Sequence, residues 1–110
     1  MSNRHLARAL AMQSLFQWDF KRQQDDPTTI LEHNKNSFAP LFKDAGFSRK
    51  IVDGVIKNKE QIDETIKKYA PEWPIEQITI VDRNILRIGV YELKFSDEIP
   101  PKVAINEAIE

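Results

Sequence analysis

A chain of 110 residues, 41% hydrophobic and 30% charged, fits one compact domain or two very small bundles and lies far from a disordered composition. Without cysteine it has no disulfide framework, thiolate zinc site or thiol nucleophile, and the cytoplasm is the default compartment. A net charge of −1 argues against a protein that simply coats nucleic acid, yet residues 1–70 carry 12 Lys/Arg against 9 Asp/Glu while residues 71–110 carry 4 against 8, a difference in sign that suits two surfaces for two partners.

Hydrophobic periodicity is helical almost throughout and no strand alternation stands out, so the expected fold class is all-α. The N-terminus lacks an apolar run long enough for a signal peptide or membrane span. A first helix is expected over residues 3–24, ended by Asp25, Asp26 and Pro27. Its wheel gathers Ala7, Ala11, Ser14, Leu15 and Trp18 on one face, the expected core contact, and His5, Ala9, Met12, Gln13, Phe16 and Phe20 near the opposite one. Thr28 or Thr29 is expected to cap a second helix holding Ile30, Leu31, Phe38 and Leu41, although HNKNS in its middle is weak in helix propensity. Gly46 and Phe47 break the chain, Ser48 offers a cap, and Ile51, Val52, Val55 and Ile56 recur at helical spacing. A fourth helix over 61–69 presents Ile62, Ile66 and Tyr69 before the two prolines of APEWP, which mark the best boundary between two sub-bundles, 1–70 and 71–110.

Next, Thr79 and Asp82 in TIVD fit a capping box at the start of a helix that is apolar on nearly every side, with Arg83, Arg87 and Lys94 as a thin polar stripe. Such a helix is expected to be central, with Gly89 allowing a close crossing. SDEIPP then turns the chain, and KVAINEAIE begins a helix of only about two turns, too short to be stable alone. The expectation is a fragment or a shortened member of a longer architecture.

VDRNILRIGVYEL, IPPKVAINEAIE and the opening ARALAMQSLFQW together resemble the NusB family of transcription antitermination factors, over about residues 4–110, with residues 25–48 the weakest part. The resemblance implies two small antiparallel helical bundles sharing a core, here with the second incomplete. It also implies binding of a boxA-type leader RNA, pairing with the small ribosomal protein NusE, and action on the elongating RNA polymerase, chiefly in ribosomal RNA transcription. No enzyme, catalytic residue, metal or cofactor is implied. Two alternatives stay open: the NusB-like domain of a ribosomal RNA cytosine methyltransferase, and a protein-only adaptor that has lost RNA binding.

Single-stranded RNA asks for rings that stack on bases, polar groups that read base edges, and cations for phosphates. The first helix offers all three: Phe16 to stack, Gln13 to read an edge, and Arg4, His5 and Arg8 as the basic flank, helped by resemblance to the family's arginine-rich N-terminus. Phe16 is balanced between base platform and core residue, and Phe20 is read as core. Lys68 and Tyr69 in IKKYAPEW form a second RNA candidate, with a solvated lysine face as the simpler account. Partner binding falls to Glu76, Asp82 and Arg83 on the acidic side, since a ribosomal protein is expected to be basic. Asp82 is also expected to cap its helix. Apolar surface left exposed would favour self-association, so a homodimer is a possible assembly. Enzymatic readings find no support: His5 and His33 are too far apart for a helical metal pair, and the three glycines form neither a P-loop nor a dinucleotide fingerprint.

Overall fold

The computed structural model describes residues 2–38 and 46–95. They form five α-helices, α1 (Ser2–Phe20), α2 (Pro27–Phe38), α3 (Phe47–Lys57), α4 (Lys59–Tyr69) and α5 (Ile80–Lys94), with a 3-10 turn at Ile75–Gln77 and no strand among the described residues. The all-helical expectation holds. The chain divides into two compact units, Met1–Asp53 and Gly54–Glu110, with the division inside α3. Leu41 and the short helix expected from KVAINEAIE lie outside the described residues.

In the first unit the α1 core face is the one its periodicity marks: Ala7, Ala11, Ser14, Leu15 and Trp18 are all buried, together with Leu10. The helix stops at Phe20, earlier than expected. Lys21 still donates its amide to the Gln17 carbonyl, but Arg22 and Gln23 take positive φ values of 56° and 63°, which turns the chain without a glycine. Pro27 does not merely end α1; it occupies the first position of α2, where its missing N–H costs nothing. The cap is Asp26 rather than a threonine: its carboxylate accepts from the Thr28 amide at 3.4 Å and the Thr29 hydroxyl at 2.8 Å.

The weak HNKNS stretch is helical because tertiary contacts outweigh its propensity. Buried Asn34 donates from Nδ2 to Ser14 Oγ at 3.1 Å, and that hydroxyl donates onward to the Leu10 carbonyl at 2.8 Å, so α2 is tied to α1 beside buried Leu31. Phe38, the last residue of α2, lies in the helix as expected and is exposed. Asn34→Ala should lower stability by about 1–3 kcal/mol in urea unfolding, because it removes the Nδ2 bonds to Ser14 Oγ and, at 3.4 Å, Gln17 Oε1 on α1 and leaves a buried gap. A loss under about 0.5 kcal/mol would mean the Ser14–Leu10 bond suffices by itself.

α3 begins at Phe47, after Gly46 at φ +81°; Ser48 is inside the helix and buried, so it is not the cap. Between α3 and α4 the helical path is broken at Asn58, whose side-chain amide and backbone N–H both donate to the Gly54 carbonyl, at 2.9 and 3.0 Å. A side chain competing for a helical acceptor is a common cause of such a break.

In the second unit α4 packs on α5. The expected polarity of α5 is partly inverted. Asn84, Arg87 and Glu92 are buried beside Ile88 and Tyr91, while Val81, Leu86, Leu93 and Phe95 are exposed. The reason is an acid on the facing helix: Arg87 Nε and Nη2 meet both carboxylate oxygens of Asp63, at 2.8 and 3.1 Å, and Nη1 donates to Asn84 Oδ1 at 3.1 Å. Lys59 Nζ reaches the same carboxylate at 3.1 Å. Having placed this pair inside, α5 turns part of its apolar surface outward. Ile62 and Ile66 supply the apolar side of the α4 contribution.

Candidate nucleic-acid interface

The outer face of α1 carries its candidates at two levels. Near the N-terminal end, Arg4 and Arg8 both lie over the ring of buried Phe47, their guanidinium carbons 4.7 and 5.5 Å from its centroid. Cation–π contact of this kind holds a planar guanidinium in place, so less rotamer freedom is lost when it pairs with a phosphate. His5 beside them is exposed. About 18 Å further along the axis, at 1.5 Å per residue, Phe16 stacks on Phe20 with centroids 6.1 Å apart and planes 19° from parallel.

Phe20 corrects the sequence reading. It is 63% exposed rather than core, because α1 stops at that residue and nothing described follows to cover it. Phe16 is half-buried, which leaves Phe20 presenting the outer ring of the pair. Gln13 and Met12, also half-buried, lie on the same side of the helix. Offset, near-parallel rings are the arrangement onto which a base can extend a stack. Phe47 was not singled out as a functional residue by sequence reasoning, since its pairing with the α1 arginines joins segments far apart in the chain.

In the second unit Lys67 and Lys68 are exposed at the end of α4, and Lys68 Nζ lies 5.8 Å from the ring centroid of Tyr69, which is 78% exposed. Tyr69 therefore does not extend the apolar face of Ile62 and Ile66. The sequence between Tyr69 and Asp82 contains Glu72, Glu76 and Asp82 and no Lys or Arg.

Thr79 caps α5 as expected, its hydroxyl accepting from the Asp82 amide at 3.1 Å. The reciprocal half of the box is not made among the described residues: the Asp82 carboxylate caps nothing and stays exposed at the first turn. Glu76 is exposed in the 3-10 turn, and half-buried Arg83 points Nη1 back at the Ile75 carbonyl, 3.5 Å away. Glu76, Asp82 and Arg83 thus belong to one short stretch around the start of α5. Among the described residues no group of three His, Asp or Glu side chains gathers to hold a metal ion, and no helix is long and apolar enough to cross a membrane.

A model of the NusB family matches residues 5–110. Over 108 residues the chain is 39% identical to the transcription antitermination protein NusB of Heliobacterium modesticaldum, covering 98% of this chain but only 52%, about half, of that protein. Its counterpart in Bacillus cereus strain B4264 is 41% identical over 107 residues, 97% of this chain and 79% of the relative. Among solved structures, one of antitermination factors NusB and NusE in complex with dsRNA superposes with a TM-score of 0.85 at 29% identity, over 99% of this chain and 80% of that one.

Proposed function

The chain belongs to the NusB family, and from that premise we propose that it is an RNA-binding transcription antitermination factor, taking a boxA-type leader RNA together with NusE and acting on elongating RNA polymerase in ribosomal RNA transcription. What carries the RNA half of this reading is the α1 outer face: Arg4 and Arg8 stacked on Phe47 at one end and the Phe16–Phe20 stack at the other. Phosphates would be met by the two guanidiniums, a base by the exposed Phe20 ring, and a base edge by Gln13, with His5 beside the arginines. Lys68 and Tyr69 form a second contact surface of the same chemistry. Glu76, Asp82 and Arg83 are assigned to the protein partner, where carboxylates complement a basic ribosomal protein and speed its docking. The likeness to a solved NusB–NusE–dsRNA complex supports both halves. A cytoplasmic location accompanies the proposal, and no catalytic step is part of it.

The test is a titration of a fluorescent boxA-type RNA at several salt concentrations. Arg4→Ala and Arg8→Ala should each weaken binding and each lower the log–log salt slope by about 0.7, the value for one single-strand phosphate contact. Phe20→Ala should weaken binding by roughly tenfold while leaving the slope alone, as loss of a stacking contact does. If all three variants titrate like the parent chain at every salt concentration, α1 is not the RNA surface.

A further inference from the structure

Trp73 has no role in anything described so far, yet it is 69% exposed in the APEWP segment between α4 and the 3-10 turn. Exposing an indole to water is unfavourable unless something covers it in use, and tryptophan is the residue most enriched at the energetic centres of protein interfaces. Its backbone is fixed: the Trp73 amide donates to the Ala70 carbonyl at 3.1 Å, and Pro71 and Pro74 flank it, so little freedom remains to be lost on binding.

Trp73 lines two open grooves. One, of about 310 Å³, is walled by Tyr69, Ala70, Pro71 and Glu72; the other, of about 360 Å³, by Gln77, Ile78, Thr79 and Asp82. The second joins an indole, an aliphatic floor and a carboxylate that caps nothing. Glu72 and Glu76 add negative charge nearby in sequence, with no cation between Tyr69 and Asp82. This combination disfavours a phosphate backbone and suits a cation with an apolar stem.

We infer that Trp73 is the anchor of the partner surface: its indole receives the guanidinium or ammonium of a basic side chain from the protein partner, and Asp82 across the groove pairs with that charge. The stem of the incoming Arg or Lys lies along Ile78, and Gln77 offers its amide to the remaining donors. The inference rests on the proposed pairing with NusE and names the residue and chemistry that would carry it. It also separates two neighbouring aromatics by charge: Tyr69, with Lys68 beside it, belongs to the nucleic-acid side, and Trp73, among carboxylates, to the protein side.

The full chain is titrated separately with purified NusE and with boxA-type RNA, for the parent, Trp73→Ala, Trp73→Phe, Asp82→Asn and the Trp73→Ala/Asp82→Asn double variant. Expected for NusE are about tenfold weaker binding for Trp73→Ala, about threefold for Trp73→Phe, and a flatter salt dependence for Asp82→Asn, with RNA affinity unchanged in all of them. The double variant should lose less than the product of the single losses, since both side chains act on one cation. Parent chain that fails to bind NusE overturns the functional reading and this inference together. Parent chain that binds while both single variants bind equally well overturns the inference alone. Loss of RNA affinity in Trp73→Ala with NusE binding intact also overturns it, and makes Trp73 a base platform instead.

Discussion

Asp63→Ala should cost about 3–5 kcal/mol of stability, a large part of the roughly 5–15 kcal/mol that holds a domain of this size together. The Arg87 side chain is only 3% exposed, and Asp63 supplies both oxygens of its bidentate contact, at 2.8 and 3.1 Å. Removing the acid takes both carboxylate oxygens from a guanidinium buried between α4 and α5, and the Asn84 amide oxygen at 3.1 Å does not replace a carboxylate. The penalty comes from a buried cation that loses its bidentate carboxylate, not from the lost pair as such. It follows that Asp63→Leu combined with Arg87→Met should recover much of the loss, since a well-packed apolar pair removes two buried charges at once. Lys59, the more exposed partner of Asp63, should matter far less; Lys59→Ala is expected to cost under about 1 kcal/mol. Urea unfolding of the three variants decides the matter. An Asp63→Ala loss below about 1 kcal/mol would show that Arg87 reaches water or another acceptor, and the account of α5's inverted polarity would fail with it.

The inversion marks where sequence patterning stopped being informative. Periodicity reports local geometry, so the buried set Ala7, Ala11, Ser14, Leu15 and Trp18 could be read from α1 alone. Arg87 could not be read as buried, because its reason for being inside is Asp63, 24 positions away on another helix. Asn34 belongs to the same class: it lowers helix propensity locally and repays that through Ser14, 20 positions earlier. Phe20 was misplaced for a different reason. Whether it is core or surface depends on where α1 ends, and the end is set by positive φ at Arg22 and Gln23, residue types that give no warning of it. Capping was legible only in part: the threonine of TIVD does what the box requires, while its aspartate carboxylate stays out of the cap. That separation matters for the candidate surface, because Asp82→Asn keeps the Thr79 bond and alters charge alone.

Gly54→Val should destabilise the second unit by at least about 3 kcal/mol, and Gly54→Ala by about 1–3 kcal/mol, even though alanine is the better helix former by about 1 kcal/mol. A Cβ built on Gly54 meets the Tyr91 ring at Cε1, Cζ and Cδ1, the last at 2.8 Å. The obstacle is a ring rather than the tip of a flexible chain, and Tyr91 is itself buried in α5, so the clash is relieved only by moving the ring or parting α3 from α5. The absent side chain therefore fixes a close approach of these two helices inside the unit. The diagnostic measurement is a double-mutant cycle by thermal unfolding. Tyr91→Leu alone removes a large buried side chain and should be costly, but in that background Gly54→Ala should cost less than it does against tyrosine, or even stabilise, as helix propensity reasserts itself. If the two losses simply add, the Gly54–Tyr91 contact is not what forbids a side chain at position 54. The cycle also bears on function, because α5 carries Asp82 at its first turn. A variant that parts α3 from α5 should shift the proposed partner surface, so Gly54→Ala is expected to weaken NusE binding.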